Sequence, residues 1–348
     1  MDLLLKLSEE TRPAHESNRG ACAELAHVVR GTGGIAMAVV FGLLAGGVSV
    51  LEHLVIREGV TVPQVVLAEG TGAFVLTAPF LLCFTPAAVG KSCKDIALLC
   101  LGGLLMFGAV ACRVVLSDFV PLATTQALSF GSEPVFTAII GCIVLKEVPS
   151  YGQLLGCLAC VIGTTIINVT NVKLHFNTAN LELYQTLIGL AAFSTSLLTS
   201  FLQVLSRYVL QRVSCLLASA YLNGVCFILA VILIVIHGDA WVVCDQVVVY
   251  LAIIAGLCAV CVMCFLRSLQ LEVALVVAVV AQLRTVMTYL IQRYSFEKGP
   301  TIAGWVGVGW LLLGVLLVTV LTVRQTWKDH KRAQFLREMN FGRNLNVK

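Results

Sequence analysis

Charge is what this sequence has least of. Only 12% of its 348 residues are Asp, Glu, Lys or Arg, against about 25% in an ordinary soluble domain. With 59% apolar residues and a mean hydropathy of +0.95, the chain lacks the polar surface to cover a globule in water, and lipid is its expected solvent. Catalytic signatures are missing as well. No HExxH, GxSxG or GxxxxGK[ST] occurs, nor any motif of paired catalytic carboxylates, so the reading is not an enzyme and not an ATP-driven pump. The N-terminal stretch MDLLLKLSEETRP is a short apolar patch interrupted by Lys6; it is no cleavable leader, and the first span is expected to act as the insertion signal.

Cysteine is plentiful, fourteen in all, but most lie inside apolar runs. Cys157 and Cys160 share one run, and Cys258, Cys261 and Cys264 another. No His follows at ligand spacing and a zinc site needs four ligands, so these thiols read as small packing residues. No metal and no cofactor is expected.

A helix needs about 20 apolar residues to cross the hydrocarbon core. Ten runs qualify: 34–56, 62–84, 96–117, 122–145, 150–169, 184–206, 214–236, 247–268, 272–293 and 301–323. With both termini cytoplasmic, the inner segments hold 17 of the 23 Lys and Arg residues, which fixes the expected orientation. The layout is a cytoplasmic tail (1–32), five spans (33–170), a linker (171–183), five more spans (184–323) and a basic tail (324–348). That tail carries Trp327 and Phe335 and suits either anionic lipid or a partner protein.

The halves echo each other. Glu147 is followed by Gly156 and Gly163, and Glu297 by Gly307 and Gly314. The turn chemistry agrees, KEVPS in one half and FEKGPT in the other. Five spans is an odd number, so the second half is expected to lie inverted in the membrane, as in secondary transporters.

The segment PLATTQALSFGSEPVFTAIIGCIVLKEVPSYGQLLGCLACVIG, from Pro121 to Gly163, resembles the EamA repeat of the drug/metabolite transporter superfamily. Its first part is most similar to solute carrier family 35, subgroup G. The resemblance implies an all-α membrane protein, ten transmembrane helices arranged as two inverted five-helix EamA-type repeats around a central cavity, and solute transport. Subgroup G usually reads Ser-Ser-Pro where this chain has Ser132-Glu133-Pro134, so the carboxylate is additional.

Ionisable groups at bilayer depth are costly and call for reasons. The repeat offset sets Glu133-Pro134 of the fourth span against Leu283-Arg284 of the ninth. Glu133 and Arg284 are expected to meet at a midplane cavity, as part of a solute path or as a structural pair holding two helices in register. Pro134 leaves the carbonyl of Phe130 without its helical donor. Glu69, in the second span, is either a proton or substrate site or a hydrogen-bonding group to a neighbouring helix. Arg113 either snorkels to the interface or guides an anion. Glu52 and His53 read as interfacial, and Arg267 and Glu272 as solvated turn charges. Gln126, Gln203, Gln270, Gln282 and Tyr289 can hydrogen-bond a solute or a helix. Glu133, Arg284, Glu69, Arg113 and Gln282 are the substrate or coupling candidates; Pro134, Glu147 and Glu297 are structural. The expected activity is alternating-access transport of a small organic anion, powered by a coupled ion or an exchanged solute, with the bilayer as partner and no nucleic acid. The competing reading is a transporter-fold scaffold or regulator of another membrane protein.

Overall fold

The computed structural model describes residues 12–84, 92–172, 181–238, 244–295 and 301–345. Twelve helices account for nearly all of them: α1 Arg12–Arg57, α2 Val62–Phe84, α3 Cys93–Phe119, α4 Leu122–Phe130, α5 Glu133–Val144, α6 Tyr151–Val172, α7 Leu181–Leu210, α8 Cys215–His237, α9 Asp245–Leu271, α10 Ala274–Ala281, α11 Leu283–Ser295 and α12 Ile302–Leu345. No strand occurs among the described residues, as befits a chain whose backbone must satisfy itself in lipid.

Nine stretches among the described residues are long and apolar enough to cross a membrane. The protein is therefore an all-α, multi-pass membrane protein. Of the ten expected spans, 62–84 is the one outside that set, although a helix of 23 residues, α2, covers it. The fourth and ninth expected spans are not continuous helices. Each is two short helices, α4–α5 and α10–α11, broken near the middle. The outermost helices also outrun their spans, α1 starting at Arg12 and α12 ending at Leu345.

Helix α6 packs along α12, α2 along α8, α1 along α9 and α3 along α7. The broken pair α10–α11 lies on α1, and the broken pair α4–α5 lies on α7. Glycine sets the closest of these approaches. A Cβ on Gly163 would stand 2.6 Å from the carbonyl oxygen of Gly307, and one on Gly307 would stand 2.8 Å from that of Gly163. Gly156 and Gly314 meet in the same way, at 3.0 and 2.6 Å. Helices α6 and α12 thus touch backbone to backbone, where van der Waals contact replaces the hydrophobic effect that lipid cannot supply. On α1, Gly42 and Gly46 do the same against α10 and α11: a Cβ on Gly46 would stand 3.0 Å from the carbonyl of Arg284.

Backbone atoms cannot step aside as a side chain can, and overpacking costs about 1–3 kcal/mol. Gly163→Ala should lower the thermal unfolding temperature of the purified protein. Gly189→Ala, with nothing within 4 Å of the new methyl, should leave it unchanged or raise it. Equal responses would mean that the α6–α12 seam is not close-packed.

Candidate functional site

The break in the first half falls at Gly131-Ser132, between α4 and α5. Pro134 is the second residue of α5; it opens a new helix rather than kinking a continuous one. The carbonyl of Phe130, which a proline nitrogen cannot serve, accepts from Gln282 Nε2 at 2.7 Å. Two neighbouring carbonyls are served from α7: Ser196 Oγ donates to Ser129 O at 2.6 Å and Ser200 Oγ to Glu133 O at 3.0 Å. Gln282 itself forms the break between α10 and α11. Each broken span therefore helps satisfy the other.

Glu133, fully buried, is the first residue of α5, and Arg284, also buried, the second of α11. The two form an ion pair. Gln203 Nε2 donates to the second carboxylate oxygen, and Thr137 Oγ1 donates to Gln203 Oε1 at 3.1 Å. The guanidinium lies over the Phe130 ring, 3.3 Å from its centroid. A carboxylate in the first turn of a helix also meets a favourable dipole.

A second centre joins three further helices. Arg113 of α3 pairs with Glu52 of α1 and Glu69 of α2, donating through Nη2 to Glu69 at 3.0 and 3.2 Å. Its Nη1 also reaches Ser49 Oγ at 3.3 Å. Glu52 does not face outward: it is completely buried among the helices, paired with Arg113. Arg113 does not snorkel, and the partner of Glu69 is an arginine.

One cavity of about 140 Å³ adjoins both centres, several times what a single water needs. Arg284, Arg113, Glu69, Gln126, Gln203 and Phe130 stand in its wall, with the thiols of Cys258 and Cys261. Neither amide atom of Gln126 has a hydrogen-bond partner, although the residue is fully buried, and Arg284 Nε is likewise unpartnered. Gln282 donates through Nε2 at the helix break, while its buried Oε1 has no hydrogen-bond partner. Tyr289 packs edge-on against Trp305, and Gln270 accepts from Arg267 at the end of α9. Glu297 lies outside the described residues.

The end of the bundle where α5, α7 and α9 terminate is tied by Arg207. It donates to Glu147 Oε1 at 3.1 Å and to Leu269 O at 2.6 Å. Glu272 is not solvated there. The turn between α9 and α10 is so short that the side chain folds over Gly34 of α1, where a Cβ would stand 2.4 Å from Glu272 Cγ. Burial pushes its carboxyl up to about 7, against the pull of Arg207.

No family model matches the chain, and no curated protein matches it. A solved structure, described only as the crystal structure of a protein, superposes with a TM-score of 0.65 over 83% of this chain and 99% of its own, at 17% identity. At that identity the likeness speaks for the fold alone.

Removing one member of a buried ion pair strands the other, a loss of about 3–5 kcal/mol. Glu133→Gln and Arg284→Gln should each depress the yield of folded protein, and the double variant should recover it. Additive losses would show that the two side chains do not interact. Glu272 binds its proton more tightly in the folded state than at its ordinary value of 4.5. Its contribution to stability is therefore complete below pH 4.5 and lost as the pH rises through about 7. Glu272→Gln should flatten the fall in melting temperature over that window; an unchanged profile would place the titration elsewhere.

Proposed function

We propose that the chain is a secondary transporter that moves a small organic anion by alternating access between two inverted five-helix repeats. The observation that carries the reading is the pair of broken spans, each presenting an opposite charge beside one shared cavity. Irregular backbone at membrane depth is tolerated where it is buried in protein or lines a cavity, and transporters place their sites at such breaks.

The repeat has support in the packing. Gly156 and Gly163 recur as Gly307 and Gly314 at a constant offset, and each touches the equivalent of the other. That is the reciprocity a two-fold axis requires. Contacts of α1 with α9 are mirrored by those of α7 with α3, and both broken spans lie on the first helix of the opposite half. Counting α2, the proposed layout has ten spans with both termini on one side, and the charge asymmetry supports the cytoplasm as that side. The Arg207–Glu147 tie then closes the cytoplasmic end.

The anion preference rests on what faces the cavity. Both guanidiniums are in its wall with one carboxylate, Glu69, while Glu52 and Glu133 stand behind them. The free Arg284 Nε–H and the unpartnered Gln126 amide offer donors to a carboxylate.

The test begins with a thermal-shift screen of mono-, di- and tricarboxylates. A ligand at 100 times its Kd raises stability by about 2.7 kcal/mol. Gln126→Leu removes an unsatisfied amide, so it should fold at least as well as wild type and lose the ligand shift. The ligand found should then enter proteoliposomes down its own gradient. Binding without uptake would favour the scaffold reading, and no binding by any organic anion would remove the proposed substrate class.

A further inference from the structure

The centre around Arg113 carries more negative charge than positive. One guanidinium faces two carboxylates, and the three residues are only 8%, 0% and 5% exposed for Arg113, Glu52 and Glu69. The remaining groups that face it do not restore the balance. Ser49 of α1 is neutral. Helices α8 and α9 contribute the thiols of Cys226, Cys258 and Cys261. His53, next to Glu52 in sequence, lies near the Ser117 backbone and Arg57. Arg284 lies near enough to feel the charge of Arg113, but its own charge is balanced by Glu133.

A second observation concerns oxygen atoms rather than charge. Glu52 Oε1 is buried with no donor to satisfy it. Glu52 and Glu69 are both held by the one guanidinium of Arg113, which brings their carboxyl groups to the same place. Two ionised carboxylates are acceptors only, so neither can serve an oxygen of the other unless it carries a proton. Like charges so close, out of water, do not both ionise.

We propose that Glu52 and Glu69 form a proton-binding site, holding one exchangeable proton between them, with Glu69 as the member that exchanges it with the cavity. Glu69 and Arg113 stand in the cavity wall and Glu52 does not, so water in the cavity delivers and removes the proton through Glu69. With one proton on the pair the centre is neutral: one guanidinium, one carboxylate, one carboxylic acid. The site also has a consequence that rests on the transport reading. An anion that binds Arg113 takes the place of the remaining carboxylate, and that carboxylate must then take up a second proton from the cavity. Anion and proton bind together, and the chain works as an anion–proton symporter.

The site is tested without any solute. Infrared absorption of the purified protein, compared in water and deuterium oxide, reports the carbonyl stretch of a protonated carboxylic acid. The Glu272→Gln background removes the other carboxyl poised near neutrality. At neutral pH we expect one deuterium-sensitive band. Glu69→Gln and Glu52→Gln should each abolish it, because either leaves a single carboxylate paired one-to-one with Arg113, and Glu58→Gln should leave it intact. If either variant fails to fold, Glu69→Asp, which retains the carboxyl and displaces it, should shift the band. Absence of the band in the background protein, or its persistence unshifted in the variants, overturns the proposal.

The symport step has its own readout. The apparent Kd of the carboxylate found by thermal shift should tighten about tenfold for each unit of pH decrease while one proton is taken up per anion. A pH-independent Kd overturns the coupling and leaves the proton site standing. A chain that shows the band but moves no solute loses the transport reading alone.

Discussion

Everything in this bundle depends on the near impossibility of leaving a charge or a backbone carbonyl unpaired in hydrocarbon. The two broken spans create such groups and then satisfy them across the molecule. Phe130 O is served by Gln282, Ser129 O and Glu133 O by the α7 hydroxyls, and Glu133 by Arg284 and Gln203. Neither break is tenable without the other. The first half supplies a free carbonyl and an acid, and the second supplies an amide and a base. This mutual dependence fixes α4–α5 against α10–α11, and α1 is held against the same place because Gly42 and Gly46 let its backbone reach α10 and α11.

The glycine seam between α6 and α12 serves a different purpose. Apart from a weak bond from the Cys160 thiol to Leu311 O, its contacts are backbone packing, and it lies away from the cavity. Lipid gives two helices no hydrophobic reason to associate, so close backbone approach must supply the attraction. A seam of this kind holds the periphery firmly while the cavity side is held by hydrogen bonds and ion pairs. Those can exchange partners with water or a solute. The distribution of interaction types thus separates a stiff edge from a centre able to rearrange.

The sequence carried part of this. Hydropathy located the helices, because twenty apolar residues in a row have few other uses. The meeting of Glu133 and Arg284 was legible from the expected repeat offset, since two opposite charges deep in apolar spans need each other. The free carbonyl at Phe130 was legible from Pro134, but its partner Gln282 was not, because a glutamine at bilayer depth has many candidate acceptors. The Arg113 centre was misread. Glu52 was assigned to the interface, and Glu69 was given a bond to a neighbouring helix with no partner named, because each was judged on its own helix. A signal was present: Glu52 precedes Arg57, Glu69 follows Val62 and Arg113 precedes Phe119 by about two turns or less. Three ionisable residues at one depth from one end of consecutive spans are in reach of each other. Burial of Glu272 was illegible for another reason, as it depends on Gly34, distant in sequence, having no side chain.

The two charged centres differ in a way that bears on how a cavity can work. The Glu133–Arg284 pair is balanced, and its carboxylate is held by a second donor from Gln203. Disturbing it would strand charge on both sides, so it is suited to remain intact while helices move about it. At Arg113 the guanidinium is shared between two acids, and one carboxylate oxygen is unserved. Losing one acid as a partner, by protonation, leaves the other in place, so this centre can change composition at little cost. A fixed pair at the helix breaks and a variable centre nearer one end, both beside one cavity, separate the part that keeps the fold from the part that responds to what enters.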